Sequence, residues 1–368
     1  MSVSATGRRA LLAATLALSA AGRVRAQGPL VDAIGRPVAL RGLAERIVLG
    51  FNFEEFTAIA GPAGWARVVG YARSQWSVNR AVAFPRYAAA IPALASLPDT
   101  GNNEAGTFSA ETILSLRPDL MILPEIWLAP LAEPIARIAA AGVPVMVVDY
   151  NAQIPERHVA STLAIGAATG AIGRAEDLAR RYTARLADIQ RRISSNGVSP
   201  KVYVELGQGG AAAVGNTYWK AMWGRMLDLI GAKNIAAGHI AGGWGVMSPE
   251  FVLAANPDAI FIAGSSWQNR PNAVLTGYGV DEATTRARLA PYARRPGWDG
   301  LQAIRAGELH AIEHGLSRSL LDYIAMQYLA KQIYPAAFAD IDPVAELRGF
   351  HANDLPVAFD GTWMTRLT

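Results

Sequence analysis

Apolar residues recur along this chain in two rhythms. Short runs such as Arg46 to Gly50, Val68-Val69-Gly70, Leu120 to Leu123, Val143 to Asp149, Lys201 to Leu206, Ala259 to Ile262 and Glu308 to Ile312 are strand-length. Several are apolar on both faces, as in buried parallel strands. Between them lie segments of helical period, over 80–97, 218–230, 281–290 and 317–334. In 156–194, Leu178, Tyr182, Leu186, Ile189 and Ile193 form one stripe with a pause at Gly170 and Gly173, and Gly197 and Pro200 end it. Strand alternating with helix predicts parallel sheets with crossover helices.

One unit occurs twice. Ser109-Ala110-Glu111 leads through an aliphatic pair to Pro118-Asp119 and an apolar run, and Ser248-Pro249-Glu250 leads likewise to Pro257-Asp258 and another. Each serine is placed to cap a helix N-terminus, with the glutamate in the first turn, where the helix dipole favours negative charge. Each proline ends that helix. Two copies far apart predict two α/β lobes of similar plan.

With 368 residues, 51% hydrophobic and 17% charged, the chain is long enough for two cores. The formal charge of +4 invites a nucleic-acid reading, but Arg8, Arg9, Arg23 and Arg25 carry all of it. The remaining chain is neutral, and no nucleic-acid partner is expected. Residues 1–26, with Arg8-Arg9, an apolar run and a small-residue exit at Val24-Arg25-Ala26, read as an export signal. The paired arginines resemble a twin-arginine signal, an ordinary secretory signal being the alternative. With no cysteine, the mature product is expected to be free in the periplasm, without a lipid anchor, and monomeric.

The chain resembles the periplasmic substrate-binding proteins of iron–siderophore and cobalamin ABC importers. The resemblance rests on Asp32-Ala33-Ile34-Gly35-Arg36-Pro37-Val38 before Arg46-Ile47-Val48, on the doubled unit, on Leu227 to Ile235, and on Trp298 to His310. It implies two Rossmann-like lobes with parallel sheets joined by a single long helix: 27–154, a connecting helix over 155–196, and 197–368. It further implies that Glu111 and Glu250 dock on the two subunits of an inner-membrane ABC permease, and that ligand lies between the lobes.

Ligands of such sheets sit beyond the carboxyl ends of the strands. Those ends supply Phe53, Arg73, Trp76, Trp127, Tyr150, Tyr218, Trp219, Trp244, Trp267, Arg270, His314 and Arg318 as expected ligand-binding residues. Indoles, phenols and guanidiniums suit a bulky, partly apolar, anionic metal chelate, a ferric siderophore first, cobalamin or haem next, an oxyanion last. The five histidines are scattered, so no bare metal site and no intrinsic cofactor is expected. The glycine turn Gly207-Gln208-Gly209-Gly210 lacks the spacing of a nucleotide fingerprint. The rival class, a tetrapyrrole metal chelatase, has only the adjacent Glu313-His314 in its favour. No catalytic residues are assigned.

Overall fold

The computed structural model describes residues 29–194 and 197–367; the expected export signal lies outside them. The first half builds a four-stranded parallel sheet from β1 (Ile47–Leu49), β2 (Val68–Tyr71), β3 (Leu120–Pro124) and β4 (Val145–Val148), in the order β2-β1-β3-β4. The second half builds a five-stranded sheet. Its members are β5 (Lys201–Leu206), β7 (Lys233–Asn234), β9 (Ala259–Gly264), β10 (Leu309–Glu313) and β11 (Met364–Arg366), in the order β11-β10-β9-β5-β7. Only β11 runs antiparallel to its neighbour. A separate antiparallel ribbon pairs β6 (Asn216–Tyr218) with β8 (Trp244–Val246). The architecture is the expected two-lobed α/β one.

The doubled unit folds alike in both halves. Ser109 Oγ accepts the amide of Thr112 at 3.1 Å to cap helix Ala110–Ser115, and Ser248 Oγ accepts that of Phe251 at 3.3 Å to cap helix Pro249–Ala255. The Pro-Asp that follows has its own task. Asp119 accepts the amides of Glu45 and Arg46 at 2.8 and 2.9 Å, where β1 begins, and Asp258 accepts that of Lys201 at 2.7 Å, where β5 begins. Each aspartate thus supplies acceptors to amides at the start of an interior strand of its sheet, which explains why the pattern keeps Asp after the proline.

Between the sheets, the stretch expected as a connecting helix over 155–196 is two helices, Pro155–Thr169 and Ile172–Ser194. Gly170 breaks them at φ 80°, a conformation glycine adopts at low cost. The first helix packs on β4 and on helix Phe53–Gly64, so it belongs structurally to the first sheet. The second, with Leu178, Tyr182, Leu186 and Ile189 buried, packs on the first and on helix Asp322–Ile333 from the second half. That helix is the long strut.

Elsewhere the sequence reading needs correction. The segment 218–230 is a ribbon strand followed by the shorter helix Trp223–Leu229, and the last long helix begins at Asp322 after a 3-10 turn over His314–Arg318. Helix Pro343–Asp354, capped by Asp342, and edge strand β11 were not anticipated.

Candidate functional site

Between the halves lies a cleft of about 710 Å³. The second half forms most of its wall from the turns after β5, β9 and β10, through Gln208, Trp267, Arg270, His314 and Arg318. The strand order reverses between β5 and β9, so turns leaving these two neighbours diverge and open a crevice. The first half contributes the end of helix Arg73–Asn79, with Asn79 and Arg80, and Glu104 at the mouth.

Three guanidiniums meet here in different bonding states. Arg80 is held by Glu313 of the other half, Nη1 to Oε1 at 3.1 Å. Glu313 is buried and also accepts from Ser265 Oγ, Thr276 Oγ1 and the amide of Gly315. Burial raises its carboxyl above the ordinary range, against the pull of Arg80 and these donors. Arg318 lies 5.5 Å over the ring of Phe51, with Glu104 3.8 Å away, and its buried Nε has no partner. Arg270 is exposed, and its Nε and Nη2 donate to Gln208 Oε1 at 2.9 and 3.1 Å when that amide faces them. Arg318 and Arg270 therefore keep unspent donors and charge facing the cleft. His314 accepts the indole N–H of Trp223 on Nδ1 at 3.1 Å. Burial, then Arg318 and Arg80, hold its pKa well below the usual value, so the ring is neutral.

Of the expected ligand-binding residues, the structure brings Trp267, Arg270, His314 and Arg318 together. Phe53 and Trp76 do not line this cleft: their rings stack at 4.7 Å within the first core, beside Trp65 and Tyr71. Tyr150 is fully buried and bonded to Thr162 at 3.0 Å. Tyr218 is buried with its ring 5.9 Å from that of His314, behind the wall. Trp219 packs beneath Lys220, Trp127 packs on the outer face of the first sheet with Ile138, and Trp244 is 48% exposed on the ribbon. Arg73 donates to the carbonyl of Ala95 at 2.8 Å. Chain position at a strand end does not fix where a side chain points, and for Phe53, Trp76, Tyr150 and Tyr218 the ring buries because a core is near. Sequence reasoning missed Arg80, Asn79 and Glu104; a polar end to a helix between two lobes was the available signal for the first two, and Glu104, in a turn, carried none.

Glu111 and Glu250 are both exposed on the first turns of their helices. Ser248 Oγ donates to Glu250 at 2.6 Å, which holds that carboxyl below its usual range. Among the described residues no group of three or more histidines and acids is placed to hold a metal ion. Nor is any helix among them long and apolar enough to cross a membrane.

The family model for periplasmic binding proteins matches residues 57–313, and the chain belongs to that family. A solved TroA-like periplasmic binding protein, FepB from Veillonella parvula, is 32% identical, with a TM-score of 0.86, over 92% of this chain and 99% of that one. The periplasmic vitamin B12 binding protein BtuF of Vibrio cholerae is alike in fold, with a TM-score of 0.59 at 19% identity over 80% of this chain and 99% of that one. An uncharacterized ABC transporter substrate-binding lipoprotein, YvrC of Bacillus subtilis (strain 168), is 28% identical over 63% of this chain and 67% of its own length. These relatives are substrate-binding proteins, so the chain is a binding protein and not an enzyme, and the chelatase alternative falls. The last relative corrects the expectation of a free, unanchored location, because it is a lipoprotein. A chain without cysteine was too narrow a basis for that expectation.

Proposed function

We propose that the cleft captures a bulky, anionic metal chelate of the ferric siderophore class and that the protein hands it to an ABC permease. One observation carries the reading: Arg270 and Arg318, with donors to spare, share a cleft of about 710 Å³ with the indole of Trp267 and the imidazole of His314. Charge-assisted donors suit the outer oxygens of a chelate, and the indole suits its apolar flank. Glu111 and Glu250 are the proposed docking acids, exposed on equivalent helices of the two halves.

The test is capture. Purified protein titrated with ferric tris-catecholate should bind one equivalent, followed through quenching of tryptophan fluorescence, and should bind less tightly as salt rises. Native mass spectrometry of protein from its own source should show a ferric chelate. A corrin or porphyrin in its place, with no capture of the ferric chelate, would overturn the reading.

A further inference from the structure

Among the described residues, Trp223 is the one fully buried indole joined by a hydrogen bond to a residue of the cleft wall. Its ring nitrogen can only donate. The His314 Nδ1 that faces it at 3.1 Å must therefore offer a lone pair, and in a neutral imidazole the proton then sits on Nε2. No protein acceptor for that Nε2 proton occurs among the described residues, and the ring borders the cleft. Resting on the chelate reading above, we propose that Trp223 is a positioning residue that fixes His314 as an Nε2–H donor. The cleft then selects a ligand that places an acceptor oxygen at this point, and His314 is barred from binding a metal centre.

The chain goes to some trouble to place this indole. Met222, just before it, takes φ 50°, a left-handed region that non-glycine residues avoid, and its amide donates to Asn151 of the first half at 3.3 Å. The next residue, Gly224, has no room for a side chain, because a Cβ would lie 2.1 Å from the carbonyl oxygen of Trp219. Protonation does not release the arrangement: imidazolium would set an N–H against the indole N–H, between Arg80 and Arg318. A metal needs the lone pair that the Nε2 proton occupies.

Nitrogen-15 NMR of the ligand-free protein decides the matter without any ligand, with His314→Gln identifying the ring signals. The expected result is a single neutral tautomer protonated on Nε2. In Trp223→Phe the tautomers should mix, which loss of a packing contact alone would not cause. An Nδ1-protonated or mixed ring in the wild type overturns the proposal, whether or not Trp223→Phe folds. With ferric tris-catecholate, His314→Leu should bind about tenfold more weakly, the equivalent of one lost hydrogen bond, and His314→Gln should recover most of the loss. With ferric protoporphyrin, a nitrogen-ligated spectrum that vanishes in His314→Gln would also overturn it. Failure of the wild type to bind the catecholate would instead sink the chelate reading, the tautomer result standing on its own.

Discussion

Arginines in this molecule divide into those already committed to a carboxylate and those that are not. Arg295 shows the first state: it forms a bidentate pair with buried Glu205 at 2.7 and 2.8 Å and stacks on Tyr292 and Trp298. It has nothing left to offer a ligand. Arg318, only loosely paired and lining the cleft, does. Arg318→Ala should therefore weaken binding of ferric tris-catecholate by about 1.5–3 kcal/mol, one charge-assisted hydrogen bond. Glu205→Ala should leave binding unchanged and destabilise the fold by about 3–5 kcal/mol, because it strands a buried guanidinium. Titration and urea denaturation separate the two, and equal effects of both variants on affinity would contradict the division. The same distinction explains what a reading of the residues misses. Trp267, Arg270, His314 and Arg318 were legible as loop residues after strands. Phe53, Trp76 and Tyr150 occupy comparable positions yet turn inward, because packing against neighbours on other elements, such as Trp65 and Thr162, decides that, and no strand-end pattern encodes it.

Short helices carrying an acid in the first turn and a Pro-Asp exit are the chain's most legible elements, because cap, stop and strand are all local in sequence. Ribbon β6–β8 and strand β11 were not legible. Each is too short to show a period, and each exists only through pairing with a distant partner. Helix Pro343–Asp354 announces itself with Asp342 and proline at its start, but its buried positions include polar residues, which blur the stripe. The doubled helix also carries the docking prediction. With Glu111 and Glu250 both exposed, their replacement touches no core contact and costs the fold little. Glu111→Ala with Glu250→Ala should keep chelate affinity within a factor of about two and abolish delivery to reconstituted permease. Full uptake by the double variant would remove the docking role. Ser109→Ala, by contrast, should cost about 1 kcal/mol of stability through the lost cap.

At the scale of the whole molecule, the two halves are tied along a seam of cross-links as well as through the strut. Arg80 reaches Glu313, Gln153 Nε2 donates to the carbonyl of Ser317 at 2.7 Å, and Arg86 pairs with Asp360 at 2.7 Å. Closure on ligand should accordingly be modest, and scattering profiles with and without ferric tris-catecholate should nearly superimpose. Glu55 makes this seam sensitive to pH. It sits on the first-half helix Phe53–Gly64, accepts the amide of Leu320 from the second half at 3.3 Å, and receives Asn52 Nδ2 at 3.3 Å. Burial, then the nearby Glu54, raises its pKa from 4.5 to about 7, the two hydrogen bonds opposing. Between those values the native carboxyl keeps a proton that the unfolded chain has lost, so this group subtracts stability as pH rises from 4.5 to 7. The full loss is on the order of 3 kcal/mol. His158 works the other way: burial lowers its pKa to about 4, the unfolded chain takes up a proton below 6.5, and stability falls as pH drops through that window. The contributions of these two groups oppose each other between about 4.5 and 6.5. Glu55→Gln keeps the acceptor oxygen and removes one slope. Urea denaturation should find the variant close to wild type at pH 4.5 and progressively more stable than wild type up to pH 7, with no further change above it. A difference between the two proteins that stays constant across that range would mean that Glu55 is ionised in the native seam throughout.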